Sequence, residues 1–394
     1  MLVRAASALV DGALTGPVLV SVEGGRIRAV DSDPLAVAAA PSRHLHADLT
    51  SGVLTPGLLD LQVNGSFGAD FADATPQEWA TALDGLAAHG VTGIEPTVIT
   101  APLADLHGAF DRILAARESL AAGADHPVAR ILGAHLEGPF LSPERRGTHR
   151  TEWMLPPSPE HLDTLLAHPA TREVLLTVTL APELPGAIEA IRRLVGDGLI
   201  ASVGHSDASA AQVHAAADAG ATMVTHLFNA QRPLGHREPG VVGAALADDR
   251  LHLGTILDGQ HVLGSVVGIV MAAAPGRVVG VTDAIVTAGL PPGTWLTFGG
   301  AEVAGDETGL GRRRDGTIAG AGILLDEGVR RTIAAGVAPA VVLASCTEVA
   351  ARSIGRDDVG HLRPGAHADL VWWDESWLPQ RVWVAGTERL VPTR

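Results

Sequence analysis

The sequence predicts an α/β fold: a (β/α)8 TIM-like barrel that carries a small β-unit made from the two ends of the chain. Three observations lead to this prediction. Eight strand-like apolar runs alternate with helical stretches, both ends of the chain resemble short strands, and polar residues gather where the apolar runs end. Apolar strands separated by helices imply a buried parallel sheet, and eight such units match a closed barrel better than an open doubly wound sheet.

The barrel elements are predicted from the pattern of apolar residues. These residues are nearly continuous in buried strands and recur at the helical repeat in the segments between the strands. The predicted strands are 57–62, 93–99, 130–136, 174–180, 200–204, 222–226, 251–257 and 277–282. The predicted helices are 75–89, 103–122, 159–167, 185–198, 208–219 and 262–273.

Both ends of the chain predict strands. Near the start, V-L-V-S-V, the turn E-G-G and R-I-R-A-V form a hairpin pattern. Near the end, A-D-L-V-W-W-D and R-V-W-V precede a turn at Ala385-Gly386. We expect these segments to pair with each other, and assign residues 1–53 and 360–394 to this unit and 54–359 to the barrel.

The composition excludes several classes of function. The net charge of −16 disfavours nucleic acid or an anionic membrane as the main partner. The chain contains no lysine, which rules out Schiff-base, P-loop and carbamylated-lysine chemistry. No uncharged apolar run is long enough to span a bilayer. The single cysteine, Cys346, allows no internal disulfide and lies in an amphipathic helix pattern, so we expect a cytoplasmic protein and a structural thiol.

Polar residues mark the ends of the predicted strands, which is where such barrels hold their catalytic groups. In chain order these residues are Asp60, Gln62, Asn64, Glu95, His135, Glu137, Glu183, His205, His226, Asp258, His261 and Asp283. A single histidine at a strand end is usually a structural side chain. However, a glutamate and two histidines on three strand ends supply the set that binds one zinc or ferrous ion and leaves a position for water.

Two further strand-end residues then acquire roles in this hypothesis. Asp283 would deprotonate the water bound to the ion of Glu137, His205 and His226, and would return the proton to a leaving group. His261 would stabilise the developing oxyanion.

A series of motifs carries a resemblance to a known family. In order from Thr55 to Asp283 they are T-P-G-L-L-D-L-Q-V-N-G, H-L-E-G-P-F-L-S-P-E-R-R-G-T-H, T-L-A-P-E, G-H-S-D-A, T-H-L-F-N-A, R-E-P-G, D-G-Q-H-V and V-T-D-A. Together they resemble the N-acetylglucosamine-6-phosphate deacetylases of the amidohydrolase superfamily. Near the end of the chain, G-H-L-R-P-G-A-H-A-D-L-V resembles the closing strand of that superfamily's β-sandwich, so the terminal unit is expected to be a β-sandwich domain.

The resemblance implies roles for the strand-end residues. It implies that Glu137, His205 and His226 hold one divalent metal ion, Zn²⁺ or Fe²⁺, that Asp283 is the general base and then acid, and that His261 contacts the substrate carbonyl or sugar. The superfamily's first-strand H-x-H would fall on Asp60-Leu61-Gln62. Losing that pair argues against a two-metal site, and Gln62 is expected to reach a metal-bound water.

The resemblance also implies residues that bind a sugar phosphate. These are Thr148, Asn229, Ala230 and Arg237, with His149 and His236 beside them, and a substrate-closing loop at Ile318, Ala319, Gly320 and Ala321. Arg237 is expected to reach the neighbouring subunit's site in a homodimer. Two departures from the family pattern are Gln231, where a methionine is usual, and the 318–321 loop, which lacks two hydroxyls. The preceding Arg312 to Arg314 could attract phosphate or form a solvated turn.

The leading functional hypothesis is therefore metal-dependent hydrolysis of the acetamido group of an N-acetylhexosamine 6-phosphate. The N-acetylgalactosamine 6-phosphate enzyme would share every catalytic residue. Another amidohydrolase acting on a small amide, and a barrel that binds without catalysis, are the remaining alternatives. A non-catalytic relative would be expected to lack a ligand or the aspartate, and all four residues are present here.

Overall fold

Seven short strands precede the barrel in the computed structural model, which describes residues 1–123, 128–389 and 391. They are β1 (Leu2–Ala5), β2 (Ala8–Val10), β3 (Ala13–Thr15), β4 (Val18–Glu23), β5 (Arg26–Asp31), β6 (Ala47–Leu49) and β7 (Val53–Pro56). A short helix, α1 (Pro34–Ala39), and a 3-10 turn at Ser42–His44 connect β5 to β6. The side chains of β4 alternate between buried and half-buried positions, as expected for a strand covered on one face.

Strands and helices then alternate as far as residue 281. The elements are β8 (Leu58–Val63), β9 (Gly65–Ser66), β10 (Ala69–Asp70), α2 (Pro76–Ala88), β11 (Val91–Ile99), α3 (Leu103–Gly123), β12 (Arg130–Ile131), β13 (Ala134–Glu137), α4 (Pro159–Ala167), α5 (Pro169–Val174), β14 (Leu175–Leu180), α6 (Ala187–Gly196), β15 (Ile200–Val203), α7 (Ala210–Asp218), β16 (Met223–Val224), α8 (Gly240–Ala247), β17 (His252–Ile256), α9 (Gly264–Ala273) and β18 (Val278–Val281). Short 3-10 turns at Pro143–Arg145 and Thr151–Trp153 lie in the loop after β13.

The helices begin where the sequence provides capping residues. At the start of α2, the Thr75 hydroxyl accepts from the backbone N–H of Glu78, and the Glu78 carboxylate accepts from that of Thr75. Pro76 occupies the first helical position, where no backbone donor is needed. The buried face of α2, which includes Trp79 and Leu83, packs in the main hydrophobic core.

The barrel sheet is parallel and has eight strands among the described residues. The short strands β12 and β13 both pair with β11, through Gly93 with Arg130 and Thr97 with His135, so they are two halves of one barrel strand. The order runs from β8 through β11, β13, β14, β15, β16 and β17 to β18. This confirms the predicted (β/α)8 barrel, in which the carboxyl ends of the strands meet at one edge.

A four-stranded antiparallel sheet follows β18, and the sequence analysis did not predict it. It consists of β19 (Trp295–Phe298), β20 (Ala301–Gly305), β21 (Leu310–Arg313) and β22 (Ile318–Ala321), and we call it the flap. Three helices come next: α10 (Leu325–Ala334), α11 (Pro339–Ser345) and α12 (Glu348–Ser353). The backbone N–H of Ala321 donates to the Asp283 carbonyl, so the end of the flap is fixed to the end of β18.

The last strands return to the N-terminal unit. They are β23 (Leu370–Trp373), β24 (Pro379–Val384) and β25 (Thr387–Arg389), and they form a six-stranded sheet in the order β25-β24-β23-β7-β2-β3. A second sheet has the order β5-β4-β1-β6. Buried residues of both sheets, including Val20, Leu54 and Trp383, form one core cluster. The predicted pairing of the two ends is confirmed, whereas the exact boundaries, 1–53 with 360–394 and 54–359, stay a prediction.

Among the described residues, no helix combines the length and apolar character that a membrane crossing requires.

Candidate active site

The metal-ligating side chains predicted from the sequence converge at the carboxyl edge of the barrel. Oε1 of Glu137, at the end of β13, lies 3.1 Å from Nε2 of His205 and 2.8 Å from Nε2 of His226. The two ring nitrogens are 3.1 Å apart. All three side chains are buried. Three ligand atoms within one small volume form a candidate site for a single ion.

The hydrogen bond on the far side of His205 fixes which ring nitrogen faces this cluster. His205 Nδ1 lies 2.8 Å from the carbonyl oxygen of Arg145, and a carbonyl can only accept, so Nδ1 carries a proton. In the neutral ring, Nε2 therefore has a lone pair directed towards the Glu137 carboxylate. Such a convergence of lone pairs suits a divalent cation.

Asp283 follows β18 and lines the same cavity as the three ligands. Its Oδ1 accepts hydrogen bonds from Asn64 Nδ2 at 2.8 Å and from Gln62 Nε2 at 3.3 Å. Burial and the nearby charge of Glu137 raise the pKa of Asp283 to about 6. Burial also opposes ionisation of Glu137, but the hydrogen bonds and charges of His205 and His226 hold its pKa well below the usual value.

The first barrel strand corrects one sequence assignment. We placed the superfamily's H-x-H at Asp60-Leu61-Gln62, but the side chains of β8 that contact the site are those of Gln62 and, just after the strand, Asn64. Gln62 Nε2 lies 3.5 Å from Glu137 Oε1 as well as near Asp283. Asp60 instead accepts hydrogen bonds from Thr282. Side chains two residues apart lie on the same face of a strand, so Asp60 lies deeper in the barrel than Gln62, and the pairing of β8 with β11 shifts register between Asp60 and Val63.

His261 also lines the cavity, and its ring is held by Asp258. Nδ1 of His261 lies 2.6 Å from Asp258 Oδ2, while Asp258 Oδ1 accepts from the backbone N–H groups of Gln260 and His261. Asp258 falls at a predicted strand end, but the strand-end pattern alone does not predict this role. The three-residue spacing in D-G-Q-H is the signal that could have indicated it.

His149 lies closer to the ligand cluster than the sequence analysis expected. Its Nε2 is 3.8 Å from Glu137 Oε2, and its Nδ1 is 2.9 Å from Thr100 Oγ1. Thr100 in turn donates to the Glu137 carbonyl. Burial and the nearby His205 lower the pKa of His149 to about 3. His149 is therefore a buried, neutral imidazole beside the candidate metal site.

The expected substrate-binding residues divide into three groups. The cavity, with a volume of about 350 Å³, is lined by Thr148, Asn229, Ala230, Ile318, Ala319 and Gly320 in addition to the residues above. Ala321 is buried behind the lining and binds the Asp283 backbone. Arg237 and His236 are exposed and do not line the cavity.

Other strand-end residues serve the scaffold. Glu183 accepts from the Ser206 hydroxyl and the Asp207 N–H, and so supports the loop after β15. His135 contacts Thr179 inside the barrel at 2.7 Å, and burial lowers its pKa to about 4. Burial raises the pKa of Glu95 to about 8. These residues share the strand-end pattern, but they do not reach the ligand cluster.

One of the two departures from the family pattern, Gln231, has a local explanation. Gln231 is buried, accepts from the Phe228 N–H and donates to the Thr225 carbonyl, so it stabilises the loop after β16. Of the three arginines that precede β22, Arg312 pairs with Asp306 and Arg314 pairs with Glu302, so both guanidinium groups are engaged within the flap. Arg313 instead donates to the carbonyl oxygen of Thr148, which lines the cavity.

Several non-glycine residues with strained backbone conformations lie at the site. His205, His226, Ala230 and Asp283 all have positive φ values, at 48°, 30°, 49° and 52°. Residues with a Cβ rarely adopt this region, and such outliers persist where the surrounding structure enforces them, often at functional sites.

Comparison with known proteins agrees with this geometry. The amidohydrolase family profile matches residues 53–392. An N-acetylgalactosamine-6-phosphate deacetylase of Escherichia coli O157:H7 is 36% identical over 371 residues, covering 93% of both chains. A human N-acetylglucosamine-6-phosphate deacetylase is 35% identical over 376 residues, covering 93% of this chain and 90% of its own.

A solved structure of a deacetylase also matches this chain. A mutant N-acetyl-D-glucosamine-6-phosphate deacetylase of Mycobacterium smegmatis, in complex with N-acetyl-D-glucosamine-6-phosphate, superposes with a TM-score of 0.89 at 31% identity and covers 99% of each chain. From the profile, the relatives and the structural match, we conclude that the chain belongs to the amidohydrolase family.

Proposed function

We propose that this protein is a metal-dependent deacetylase that hydrolyses the acetamido group of N-acetyl-D-glucosamine 6-phosphate to D-glucosamine 6-phosphate and acetate, in amino-sugar catabolism. The observation that carries the proposal is the convergence of Glu137, His205 and His226 in a cavity that Asp283 also lines. The relatives named as deacetylases of hexosamine 6-phosphates support the substrate class.

Glu137, His205 and His226 would hold one divalent ion, and Zn²⁺ or Fe²⁺ suits two imidazole nitrogens and a carboxylate oxygen. When bound, the ion would act as a Lewis acid on the amide carbonyl and would acidify a water molecule. Gln62 would orient that water from its position between Glu137 and Asp283.

Asp283 would move the proton in this reaction. Asn64 and Gln62 both donate to Oδ1, which leaves Oδ2 to accept a proton from the attacking water and deliver it to the leaving amine nitrogen. His261, with Nδ1 held by Asp258, would offer Nε2 to the substrate carbonyl or a sugar hydroxyl. His149, which lies beside Oε2 of Glu137, would contact the acyl group of the substrate.

The phosphate end of the substrate would lie at the cavity mouth. Thr148, Asn229 and Ala230 line it and would contact the sugar phosphate, while the flap residues Ile318 to Gly320 would close over it. We propose that Arg237 reaches the neighbouring subunit's phosphate in a homodimer, because it is exposed outside its own cavity. Leu234, 52% exposed in the same segment, offers apolar surface for such contact.

Because one cysteine allows no internal disulfide, we also propose a cytoplasmic location.

The decisive experiment measures acetate release from N-acetylglucosamine 6-phosphate by the purified, metal-analysed protein. The unphosphorylated sugar and an Asp283→Asn protein are run in parallel. We expect close to one equivalent of metal, strong preference for the phosphorylated sugar and loss of turnover in the variant. A wild-type rate no higher than that of Asp283→Asn would contradict the proposed reaction, and less than about a tenth of an equivalent of metal would favour a non-catalytic barrel.

The galacto epimer is a second candidate substrate. The Escherichia coli relative at 36% identity is an N-acetylgalactosamine-6-phosphate deacetylase, whereas the human glucosamine enzyme has 35% identity. Comparing kcat/KM for the two epimers in the same assay would decide between them.

Mixed subunits would test the role of Arg237. An Arg237→Ala subunit keeps its own Asp283, and an Asp283→Asn subunit keeps its Arg237. If Arg237 serves the partner's site, the mixture would regain activity that both parent variants lack, because each mixed dimer would contain one complete site. A mixture no more active than its components would contradict the arrangement in trans.

A further inference from the structure

The barrel closes where its first strand, β8, meets its last strand, β18, and we call this junction the seam. The seam lies directly beside Asp283. At the open end of the seam the Asp283 N–H donates to the Gln62 carbonyl at 2.8 Å, and the Asn64 N–H donates to the Ala284 carbonyl at 2.7 Å. Further into the barrel a side chain makes the connection: the Asp60 carboxylate accepts the Thr282 N–H at 3.1 Å and the Thr282 hydroxyl at 2.6 Å.

The Thr282 hydroxyl connects this carboxylate to both sides of Asp283. While donating to Asp60, it accepts the Ala284 N–H at 3.0 Å. The residues immediately before and after Asp283 are therefore held by one hydroxyl group. Between them Asp283 has φ +52°, a conformation that residues with a Cβ adopt rarely and that needs support from its surroundings.

We propose that Asp60 is a positioning residue for the reaction, which holds Asp283 through the Thr282 hydroxyl so that the Asp283 carboxylate faces the metal-ligand cluster. The inference rests on the proposed deacetylase function and deepens it. Asp60 is 1% exposed and does not line the cavity, so it acts through Thr282 and not on the substrate. A catalytic group displaced by about 1 Å can lose roughly two orders of magnitude in rate.

Three variants test this inference. Thr282→Val keeps the shape and removes the hydroxyl, Thr282→Ser keeps the hydroxyl, and Asp60→Asn keeps the volume but not the paired acceptors. Thr171→Val is the matched control, because the Thr171 hydroxyl is buried and has no hydrogen-bond partner among the described residues. For each protein, kcat, KM, bound metal and Tm are measured with N-acetylglucosamine 6-phosphate.

We expect Thr282→Val to lower kcat by about 10- to 100-fold with KM and metal content within about twofold of wild type. Thr282→Ser should recover most of the loss, Asp60→Asn should resemble Thr282→Val, and Thr171→Val should match wild type. Unchanged kcat in both Thr282→Val and Asp60→Asn would overturn the proposal. A loss that follows metal content or Tm, without recovery in Thr282→Ser, would overturn it as well. An inactive wild-type protein would instead contradict the deacetylase function itself.

Discussion

Asp258 Oδ2 lies 2.6 Å from His261 Nδ1, so the carboxylate fixes both the orientation of the ring and the position of one of its protons. A carboxylate oxygen can only accept, and the proton of this contact is therefore on Nδ1. Nε2 remains the ring nitrogen available to a ligand in the cavity.

Replacing Asp258 by asparagine should weaken this control. The amide group can donate to Nδ1 and so favour the other tautomer, which changes what Nε2 offers to the substrate. We expect Asp258→Asn to lower kcat/KM by about 10- to 100-fold, with metal content unchanged. Steady-state acetate release measures the effect, and Asp249→Asn, at a surface aspartate whose side chain is 98% exposed, is the control. Wild-type kinetics in Asp258→Asn would show that the ring needs no such partner.

Asp283→Asn should separate catalysis from metal binding. Asp283 is outside the set of three proposed ligands, so we expect the variant to retain its metal while kcat falls by about 100- to 10,000-fold. Acetate release and metal analysis on the same preparation make the comparison. If the metal is lost in parallel with activity, Asp283 is a ligand and the proposed division of roles is wrong.

The flap should lose stability in acid through Asp306. Burial would raise the pKa of this carboxyl, but hydrogen bonds from Thr308, Arg312 and Leu310 outweigh it and lower the pKa to about 2. A depressed folded-state pKa stabilises the fold above the unfolded value near 4, and this stabilisation is lost as pH falls towards 2.

Because solvent screens this partly exposed carboxylate, Asp306→Asn should therefore destabilise the protein by about 1 kcal/mol at pH 7 and by much less near pH 2. Urea unfolding of both proteins across this range measures the difference. An effect that does not depend on pH would mean that the ionised carboxylate is not what stabilises the turn.

Cys346 should be unreactive in the folded protein. Burial raises the pKa of its thiol to about 12, and its sulfur packs closely against Gly280. We expect a thiol-reactive disulfide reagent to label the unfolded chain only, and Cys346→Ala to keep kcat within about twofold while losing about 1 kcal/mol of stability. Rapid labelling of the native protein would contradict this, and loss of kcat would show that the thiol takes part in the reaction.

The barrel and part of its site could be predicted because both depend on local patterns. Buried strands are apolar along their length, so a polar residue such as Glu137, His205 or Asp283 marks a strand end that faces the active-site edge. Which side chains of the first strand reach the site could not be predicted, since this depends on how β8 meets β18 at the seam. This is why Asn64 was given no role, while Asp60 was placed with the ligand positions.

Contacts between distant parts of the chain could not be predicted from the sequence either. His149 is placed by Thr100, nearly fifty residues earlier, and no local pattern connects them. The flap was missed because its strands are short and follow a barrel pattern that was already complete. The role of Arg237 depends on a second subunit, and sequence patterns describe one chain at a time.

Main-chain groups fix the last strand of the flap to the barrel near the site, beside the side-chain packing of Phe298 and Val303 against Ile285. The Ala321 N–H binds the Asp283 carbonyl, and the Ile285 N–H binds the Ala321 carbonyl. Such backbone contacts tolerate changes of side chain, so the exposed Ile318 can vary while the flap stays in the same place. The preference for an acyl group or a sugar epimer can therefore change, by divergence or by grafting another flap sequence, while the catalytic residues at the barrel edge stay the same.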